Sequence, residues 1–325
     1  MDLVARTPRL PAPGKTLTGH SFQTFQGGKG ANQVVAGARL GAKTYIVGRV
    51  GGDVFGGTLK AEFASAGVDH TNVERDTEVS SGMALNAVGK SAENLIIVVP
   101  GVNGKVAEDD LSRLEKVLDT STILLSQLEI PLEMVIVAVN MAKEKGVKVI
   151  LNPAPAQILP EKIYSWIDII TPNETETAFL VGFPVENQED AQGAARELKE
   201  RGVGRAIIIM EGRGAFTLLD NKEKFYETIP VAAIDTVTAG NAFNCALAVA
   251  LSEGNSIDEA IRWGIAGGAM SVTKEGTQPA MPERKELLSI LKNIKRKLRR
   301  EKCHYRMIMQ NESMPEYWER SLAYT

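Results

Sequence analysis

The sequence is poor in cysteine, since its 325 residues include only Cys245 and Cys303. Two cysteines cannot build the disulfide framework of a small secreted protein, and a reducing cytoplasm is therefore the expected location. Neither cysteine lies near a second cysteine or a histidine cluster, apart from His304 beside Cys303. A metal site built on thiolates is therefore not expected.

Long apolar runs and a strong charge of either sign are also missing. No stretch is long enough to span a bilayer and no signal-peptide pattern opens the sequence, so no membrane partner is expected. The net charge of −3 gives no electrostatic reason to expect nucleic acid as a partner. A hydrophobic fraction of 44% over 325 residues instead predicts one large or two ordinary globular domains.

Strand-like and helix-like patterns alternate along most of the chain. This order predicts an α/β fold with a mostly parallel central sheet covered by helices on both faces. The predicted strands are 44–50, 95–99, 123–128, 148–151, 167–171 and 206–210, and the predicted helices are near 33–40, 57–66, 109–117, 132–145, 174–181 and 191–201.

One segment departs from this alternation. Two extended runs at 83–88 and 94–99 are joined by the short polar stretch Gly-Lys-Ser-Ala-Glu. Such a pair predicts a β-hairpin, and a hairpin inside an α/β chain suggests a small lid sheet outside the core.

A second segment, residues 234–243, joins a predicted short strand at 229–234 to a predicted helix from Ala242 to about Ser252. Small residues at 238–240 let backbone N–H groups converge at a helix N-terminus, which favours an anion. A phosphoryl-transfer enzyme of this design also needs a carboxylate there to take a proton. The sequence has Asn241, an amide with no basic site at neutral pH. A helix N-cap and nothing more is the alternative interpretation of Asn241.

Residues 27–32, Gly-Gly-Lys-Gly-Ala-Asn, lie between an extended run and a helix beginning near Gln33. They lack the spacing of a dinucleotide fingerprint, and the only Gly-Lys-Thr, at 14–16, lacks the first glycine and the strand of a P-loop. The segment predicts a close-approach turn that presents backbone amides, Lys29 and Asn32 to a small polar ligand. A plain strand-to-helix turn remains the alternative.

Polar residues also follow two predicted buried strands. Glu129 comes shortly after the run 123–128, and Asn173, Glu174 and Glu176 follow 167–171. The carboxyl ends of parallel strands line the ligand crevice, which makes these residues site candidates. A solvated loop position for Glu129 and a helix-dipole role for Glu174 and Glu176 are the alternatives.

Several motifs in one order resemble the ribokinase family of ATP-dependent sugar kinases. The resemblance covers roughly residues 2–291 and rests on Asp2, 27–32, 127–129, 152–155, 173–176 and 235–243. It implies a three-layer α/β/α sandwich with a small β-sheet lid formed by about 1–26 and 81–100. It also implies phosphorylation of a pentose, D-ribose to D-ribose 5-phosphate, by a homodimer.

The resemblance implies residue roles as well. The sugar would be bound by Asp2, Gly28, Lys29, Gly30, Ala31, Asn32, Glu129 and Asn241. ATP would contact Asn173, Ile209, Met210, Glu211, Gly212, Arg213, Gly214, Gly240, Asn241 and Ile265. Mg²⁺ would arrive with ATP near Glu176, and a monovalent cation such as K⁺ would be surrounded by Asp235, Val237, Ser271, Lys274, Gly276 and Ala280.

Two segments depart from the family pattern inside the implied site. Asn241 stands where the family has its catalytic aspartate, and Val237 and Thr238 also differ. A positioned general base contributes about 10²–10⁴-fold, so slow turnover is expected. Glu211 follows Ile-Met where the family usually has Thr-Leu-Gly, which brings a carboxylate towards the phosphates.

Both ends of the sequence differ from the family too. Members normally have an apolar strand directly before the position of Asp2, whereas here Met1 precedes it. Without that strand, its neighbours are expected to have unpaired backbone groups and exposed apolar faces. The tail at 292–325 begins with a basic run, which is most simply a solvated helix end.

Three hypotheses follow. The first is an active sugar kinase. The second is a pseudokinase that binds sugar or nucleotide without turnover, favoured by Asn241 and Glu211. The third is a chain that does not fold stably, favoured by the absent strand.

Overall fold

A computed structural model describes residues 1–91, 93–219, 222–294 and 296. The chain divides into two units, Met1–Arg284 and Lys285–Thr325. In its described part the second unit is helical over 285–294. The predicted basic tail at 292–325 lies almost wholly outside the described residues. Within them, no helix is both long and apolar enough to cross a lipid bilayer.

The first unit contains twelve strands and nine α-helices among its described residues. The strands are β1 Asp2–Arg6, β2 Ser21–Phe25, β3 Gly48–Gly51, β4 Val73–Asp76, β5 Met83–Val88, β6 Asn94–Val99, β7 Ile123–Ser126, β8 Lys148–Leu151, β9 Ile169–Ile170, β10 Ile207–Met210, β11 Gly214–Leu219 and β12 Lys222–Glu227. The helices are α1 Lys29–Arg39, α2 Val54–Ala66, α3 Glu108–Leu118, α4 Leu132–Glu144, α5 Glu161–Tyr164, α6 Glu174–Val181, α7 Gln188–Glu200, α8 Ala239–Ser252 and α9 Ile257–Ser271.

The core strands form a mostly parallel sheet between helices, which confirms the predicted fold class. Strands β7, β8 and β9 pair in parallel, as do β3 and β4. Two bridges, Ile170 with Ala206 and Asn173 with Ile209, join β9 to the antiparallel run β10–β11–β12. Helix α8 packs against α1 and α9, while α3 packs against α4.

A separate sheet with the order β2–β1–β5–β6 confirms the predicted small sheet, which we call the lid sheet or lid. Strands β5 and β6 are antiparallel, with Met83 opposite Val99, as the hairpin pattern predicted. Strand β1 joins this sheet in parallel to β5, which places Asp2 opposite Ala84. Asp2 therefore belongs to the small sheet and not to the core sheet.

The predicted strand at 229–234 is wrong. This segment has no regular structure, and Val231 and Ile234 are exposed. At the end of this segment the N–H of Ile234 donates to the O atom of Val272, the residue after α9, at 2.6 Å. Apolar residues suggested a buried strand, but Pro230 has no N–H to donate to a ladder. The following helix is confirmed, although α8 begins at Ala239, three residues before its predicted start.

The parallel pair β3–β4 and the parallel sheet β7–β8–β9 are not hydrogen-bonded to each other within the described residues. Within the described residues β3 pairs only with β4 and β7 only with β8. All four residues of β7 are half-buried, whereas Val149, Ile150 and Leu151 of the next strand are 0% exposed.

Candidate active site

The eight residues assigned to the sugar by resemblance line one cavity of about 1030 Å³. Lid-sheet residues, among them Met83 and Val98, also border this cavity. Segments that are distant in sequence therefore meet there: the N-terminus, the turn at 27–32, the loop after β7 and the start of α8.

The glycine turn brings Lys29 and Glu129 together. Gly28 has φ +103°, and α1 begins at Lys29 rather than near the predicted Gln33. The backbone N–H of Lys29 donates to Glu129 Oε2 at 2.9 Å. The Glu129 carboxylate thereby satisfies a first-turn N–H group of α1, which favours the site interpretation over a solvated loop.

Asp2 lies against the same turn. A Cβ at position 27 would be 2.0 Å from Asp2 Oδ2, so Gly27 is needed for this close approach. Burial raises the pKa of the Asp2 carboxyl; the Met1 ammonium opposes that shift and the Glu129 charge adds to it. The Met1 ammonium donates to Gly82 O at 2.9 Å, and burial lowers its pKa.

Asn32 lines the cavity, but its side-chain oxygen is buried and has no hydrogen-bond partner in the described part of the chain. Its side chain is 3% exposed. A buried acceptor without a partner costs roughly 1–3 kcal/mol.

Asn241 is held in a row of buried amides. Gln33 Nε2 donates to Asn241 Oδ1 at 3.0 Å and to Asn152 Oδ1 at 3.2 Å. Gln127 Nε2 donates in turn to Gln33 Oε1. Because Oδ1 of Asn241 is already an acceptor, its remaining polar group is Nδ2, which can only donate.

The N-cap interpretation of Asn241 is wrong. Thr238 is the N-cap residue of α8, and Asn241 is the third residue inside the helix, 7% exposed. Its side chain therefore points to the amide row and the cavity rather than to the helix end.

Two segments of the set assigned to ATP meet at the edge of the sheet. Asn173 caps α6 in a reciprocal pair: its Oδ1 accepts from Glu176 N at 2.8 Å, and Glu176 Oε2 accepts from Asn173 N at 2.9 Å. Burial raises the pKa of Glu176; the Lys29 ammonium opposes this and the Glu211 charge adds to it. Ile209 N donates to Pro172 O at 2.9 Å and so fixes β10 beside this cap.

The turn after β10 carries the remaining charges of this set. Glu211 is exposed, and its N–H donates to Glu174 Oε2 at 3.1 Å. Arg213 Nη2 pairs with Glu174 Oε1 at 2.7 Å. Gly212 has φ +68°, and a Cβ on Gly214 would be 1.9 Å from a backbone oxygen. The turn geometry therefore requires both glycines.

The other residues of that set are Met210, Ile265 and Gly240. The backbone oxygen of Met210 accepts from Arg213 N at 2.9 Å and so belongs to this turn. Met210 is buried in β10, while Ile265 is 8% exposed in α9. At Gly240 in the first turn of α8, an added Cβ would meet no atom within 4 Å. The helix start is therefore open to a ligand.

The two segments assigned to a monovalent cation are adjacent. Asp235 Oδ1 accepts from Val237 N at 3.1 Å and its Oδ2 accepts from Gly276 N at 3.3 Å. Ser271 is buried at the end of α9, and its O accepts from Lys274 N at 3.3 Å. Ala280 is buried just beyond Gly276. In the described ranges no three His, Cys, Asp or Glu side chains group as a metal site.

Sequence reasoning missed Gln33 as a site residue. Gln33 is 3% exposed and bonds to three other amides, including that of Asn241. The available signal was a long polar side chain among the small and apolar residues of α1, where burial requires hydrogen-bond partners.

Comparisons with known proteins agree with this geometry. Residues 1–284 match the pfkB family carbohydrate kinases. A ribokinase of Haemophilus influenzae is 44% identical over 292 residues, which cover 90% of this chain and 95% of that protein. A deoxyribokinase of Salmonella typhi is 34% identical, with 87% of this chain and 92% of that protein covered.

Solved structures give the same result. The structure of Arabidopsis thaliana ribokinase complexed with ribose and ATP has a TM-score of 0.83 at 34% identity, covering 90% of this chain and 95% of that one. The family match over most of the chain and the shared fold lead to one conclusion: the chain belongs to the pfkB family of carbohydrate kinases.

Proposed function

We propose that this protein phosphorylates a pentose with ATP, most specifically D-ribose to D-ribose 5-phosphate. One observation carries the proposal: the eight residues assigned to the sugar by resemblance all line one cavity beside the start of α8. The identities to a ribokinase and to a structure complexed with ribose and ATP support the same substrate pair.

The polar groups of the cavity suit a sugar. Asp2 and Glu129 supply carboxylate acceptors. The Lys29 ammonium supplies a donor, and its charge acts on both Asp2 and Glu176. A hydrogen bond to a charged group contributes about 1.5–3 kcal/mol, so three or four such contacts orient a small polyol firmly.

The residues present also fit a nucleotide. The open first turn of α8 at Gly240 offers N–H groups and a helix dipole to phosphate oxygens. Asn173, Glu176 and the turn at 211–214 border the same end of the sheet. When bound, ATP with Mg²⁺ supplies the phosphoryl group and neutralises the charge that develops during transfer. Glu176 is the residue we assign to the magnesium region.

Asn241 sets the rate in this proposal. The chain positions the sugar and the helix N-terminus stabilises negative charge, which are the larger parts of phosphoryl-transfer catalysis. The Asn241 amide has no basic site at neutral pH and therefore cannot take the hydroxyl proton. We expect turnover slower by roughly 10²-fold or more than with an aspartate.

A pseudokinase is the second candidate function. The row of amides around Gln33 favours it, because that row satisfies Asn241 without any carboxylate. Such a protein would bind sugar and nucleotide and release them unchanged.

We further propose that K⁺ occupies the loops around Asp235 and Gly276, which one hydrogen bond of 3.3 Å already joins. Backbone carbonyl oxygens suit such a hard cation, and Val237 is no obstacle because a carbonyl can serve whatever the side chain. We also propose a homodimer through the lid sheet, whose strand β6 is exposed along its whole length.

The proposal is tested with the purified protein, ATP, Mg²⁺ and a panel of pentoses. Calorimetry should detect ribose binding, and mass spectrometry should detect slow, ribose-dependent formation of ADP and a pentose phosphate in equal amounts. Binding without product would favour the pseudokinase. Neither binding nor product would contradict both functions.

A further inference from the structure

Gln33 lies at a junction of side-chain amides from four segments of the chain. Its Nε2 donates to Asn241 Oδ1 at 3.0 Å and to Asn152 Oδ1 at 3.2 Å, and its Oε1 accepts from Gln127 Nε2. Both N–H bonds and the oxygen of this amide are therefore used, and Gln33 is only 3% exposed. The Gln127 bond gives the junction a direction, because a Gln33 amide turned over would place its nitrogen against the Gln127 nitrogen and its oxygen against two acceptor oxygens.

The junction decides which atom of Asn241 faces the cavity. Asn241 lines the cavity and is 7% exposed. Its Oδ1 is held by Gln33, whereas its Nδ2 donates to no acceptor in the described part of the chain. An amide nitrogen can only donate. Position 241 therefore presents an unused donor to the cavity, where an ionised aspartate would present acceptors.

Backbone donors lie beside this nitrogen. The N–H groups of Gly240 and Asn241 have no acceptor among the described residues, and no side chain of these residues caps α8. The first turn of α8 contains no acidic residue, and an added Cβ at Gly240 would meet no atom within 4 Å. A 14-residue helix with an uncapped, open N-terminus favours a negative group. The buried donor of Asn241 and the helix start thus call for the same kind of ligand group, an acceptor with negative charge.

The carboxylates of the neighbouring segments are bound to other groups. The two oxygens of Asp235 accept from backbone N–H groups at 3.1 and 3.3 Å. Glu129 accepts from the N–H of Lys29, and Asp2 lies against Gly27. Lys29 also lines the cavity and brings its positive charge to it. A negative group at the start of α8 would therefore gain donors and a favourable charge.

We propose that Gln33 determines ligand specificity at position 241, and that the cavity therefore binds a pentose 5-phosphate more tightly than the free pentose. A phosphate dianion can only accept, and it would receive the Asn241 Nδ2 and the backbone N–H groups that no described residue uses. A hydroxyl can both donate and accept, so it gains less from a site made of donors. Gln33 acts through Asn241 and is thus a positioning residue. This inference rests on the proposed function, which places the 5-hydroxyl of the pentose beside Asn241.

The test is titration calorimetry of the full chain with D-ribose, D-ribose 5-phosphate and inorganic phosphate, without nucleotide. We expect ribose 5-phosphate to bind at least about 10-fold more tightly than ribose, since one hydrogen bond to a charged group corresponds to roughly that factor. Ribose that binds as tightly as ribose 5-phosphate, or more tightly, would overturn this inference and leave the proposed function standing. Inorganic phosphate that binds as tightly as ribose 5-phosphate would overturn it too, because the pentose would then contribute nothing. Binding of neither sugar would overturn both.

Variants of Gln33 separate positioning from charge. Gln33→Glu makes residue 33 an acceptor, so Asn241 must turn its Nδ2 towards it and present Oδ1 to the cavity. The affinity for ribose 5-phosphate should then fall by about 10-fold or more, whereas the affinity for ribose should change by less than about threefold. Gln33→Met removes the donor without adding charge and should give a smaller fall of the same kind. Gln188→Glu, at an exposed position of α7, is the matched control and should change neither affinity.

Asn241→Asp tests the same point with Gln33 in place. It replaces the donor with an oxygen and should weaken ribose 5-phosphate binding by at least about 10-fold. Thermal unfolding shows which variants are folded, and Gln33→Met and Asn241→Asp carry the test if Gln33→Glu is not. An effect of Gln33→Glu without any effect of Gln33→Met would assign the result to charge and overturn the positioning role. Equal losses for ribose and ribose 5-phosphate, or full ribose 5-phosphate affinity in Asn241→Asp, would overturn the proposal as well.

Discussion

At the scale of single residues, Lys29 and Glu129 differ in how much of the fold depends on them. Only the ammonium of Lys29 faces the cavity residues, because its backbone N–H is bound by Glu129. The Glu129 carboxylate has two tasks, since it satisfies a first-turn N–H of α1 and also lines the cavity. Substitutions of Lys29 and Glu129 should therefore differ in their effects on ribose affinity and on Tm.

We predict that Lys29→Ala weakens ribose binding by about 1–3 kcal/mol, the usual loss for a hydrogen bond to a charged group, with little change in Tm. Lys116→Ala, at an exposed position of α3, is the matched control. Titration calorimetry measures both. An unchanged ribose affinity in Lys29→Ala would show that the sugar lies elsewhere.

We predict that Glu129→Ala lowers both sugar affinity and Tm, because α1 loses an acceptor at its first turn. Glu129→Gln retains an acceptor oxygen and should lower the affinity while leaving Tm nearly unchanged. Calorimetry and thermal unfolding of both variants check this. Equal losses of Tm in Glu129→Ala and Glu129→Gln would show that the acceptor oxygen at the first turn of α1 does not account for the loss of stability.

At the scale of elements, the start of α2 ties the core to the lid. Asp53 Oδ1 accepts from Gly56 N at 2.8 Å, and Asp53 Oδ2 accepts from Ser81 N at 2.7 Å, two residues before β5. Burial raises the pKa of Asp53, but these hydrogen bonds outweigh burial and hold the pKa below its usual value.

We predict that Asp53→Ala lowers the free energy of unfolding by about 1–2 kcal/mol, as expected for loss of a helix cap. Because the folded-state pKa is lowered, this contribution is complete above the ordinary aspartate pKa of about 3.9 and disappears as the pH falls through the folded-state value. Denaturant unfolding of both proteins at pH 7 and near pH 3 measures it. If the difference in free energy of unfolding between the parent and Asp53→Ala stays constant with pH, the lowered pKa of Asp53 is contradicted.

The loop before α8 carries the second prediction at this scale. K⁺ should raise ATP affinity or activity more than Na⁺ does, because Asp235 and Gly276 hold the two cation loops together. Asp235→Asn should reduce the difference between the two cations. Equal ATP affinity, and equal activity, in potassium and sodium buffers would exclude this site.

Sequence patterns located elements best where the chain is regular. The predicted ranges 83–88, 94–99, 148–151 and 174–181 match the bounds of β5, β6, β8 and α6. Strands β11 and β12 and helix α9 were not predicted. The bond between Gln33 and Asn241 joins residues 208 positions apart, which no local pattern reveals.

At the scale of the whole molecule, the lid has an exposed apolar face. Register places Leu85 opposite Ile97, on the face of the sheet away from Asp2, and these side chains are 40% and 52% exposed. Phe22 on β2 is 65% exposed. Contiguous apolar surface of this kind marks an interaction site.

We predict that Ile97→Lys converts the proposed dimer to a monomer, because a desolvated charge at such an interface is unfavourable. Ile158→Lys, at an equally apolar position that is 81% exposed, should leave the dimer intact. Sedimentation of the parent and both variants gives the masses. A monomeric parent, or a dimer that survives Ile97→Lys, would contradict the lid interface.

The proposed function depends on position 241, where an amide stands in place of the carboxylate base that the proposed phosphoryl transfer needs. Asn241→Asp restores a carboxylate of nearly the same size, and Gln33 Nε2, now 3.0 Å from Asn241 Oδ1, can donate to it equally well. The helix dipole at the start of α8 also favours a negative charge there. The substitution should therefore change the chemistry without repacking the site.

The most direct measurement is ATP-dependent formation of ribose 5-phosphate by the two purified proteins, side by side at saturating ribose and ATP. We predict that Asn241→Asp raises kcat by at least roughly 10²-fold, with little change in ribose affinity. Equal and substantial rates would contradict the account, because position 241 would then not be the site of the base. Activity in neither protein would contradict the proposed kinase function itself.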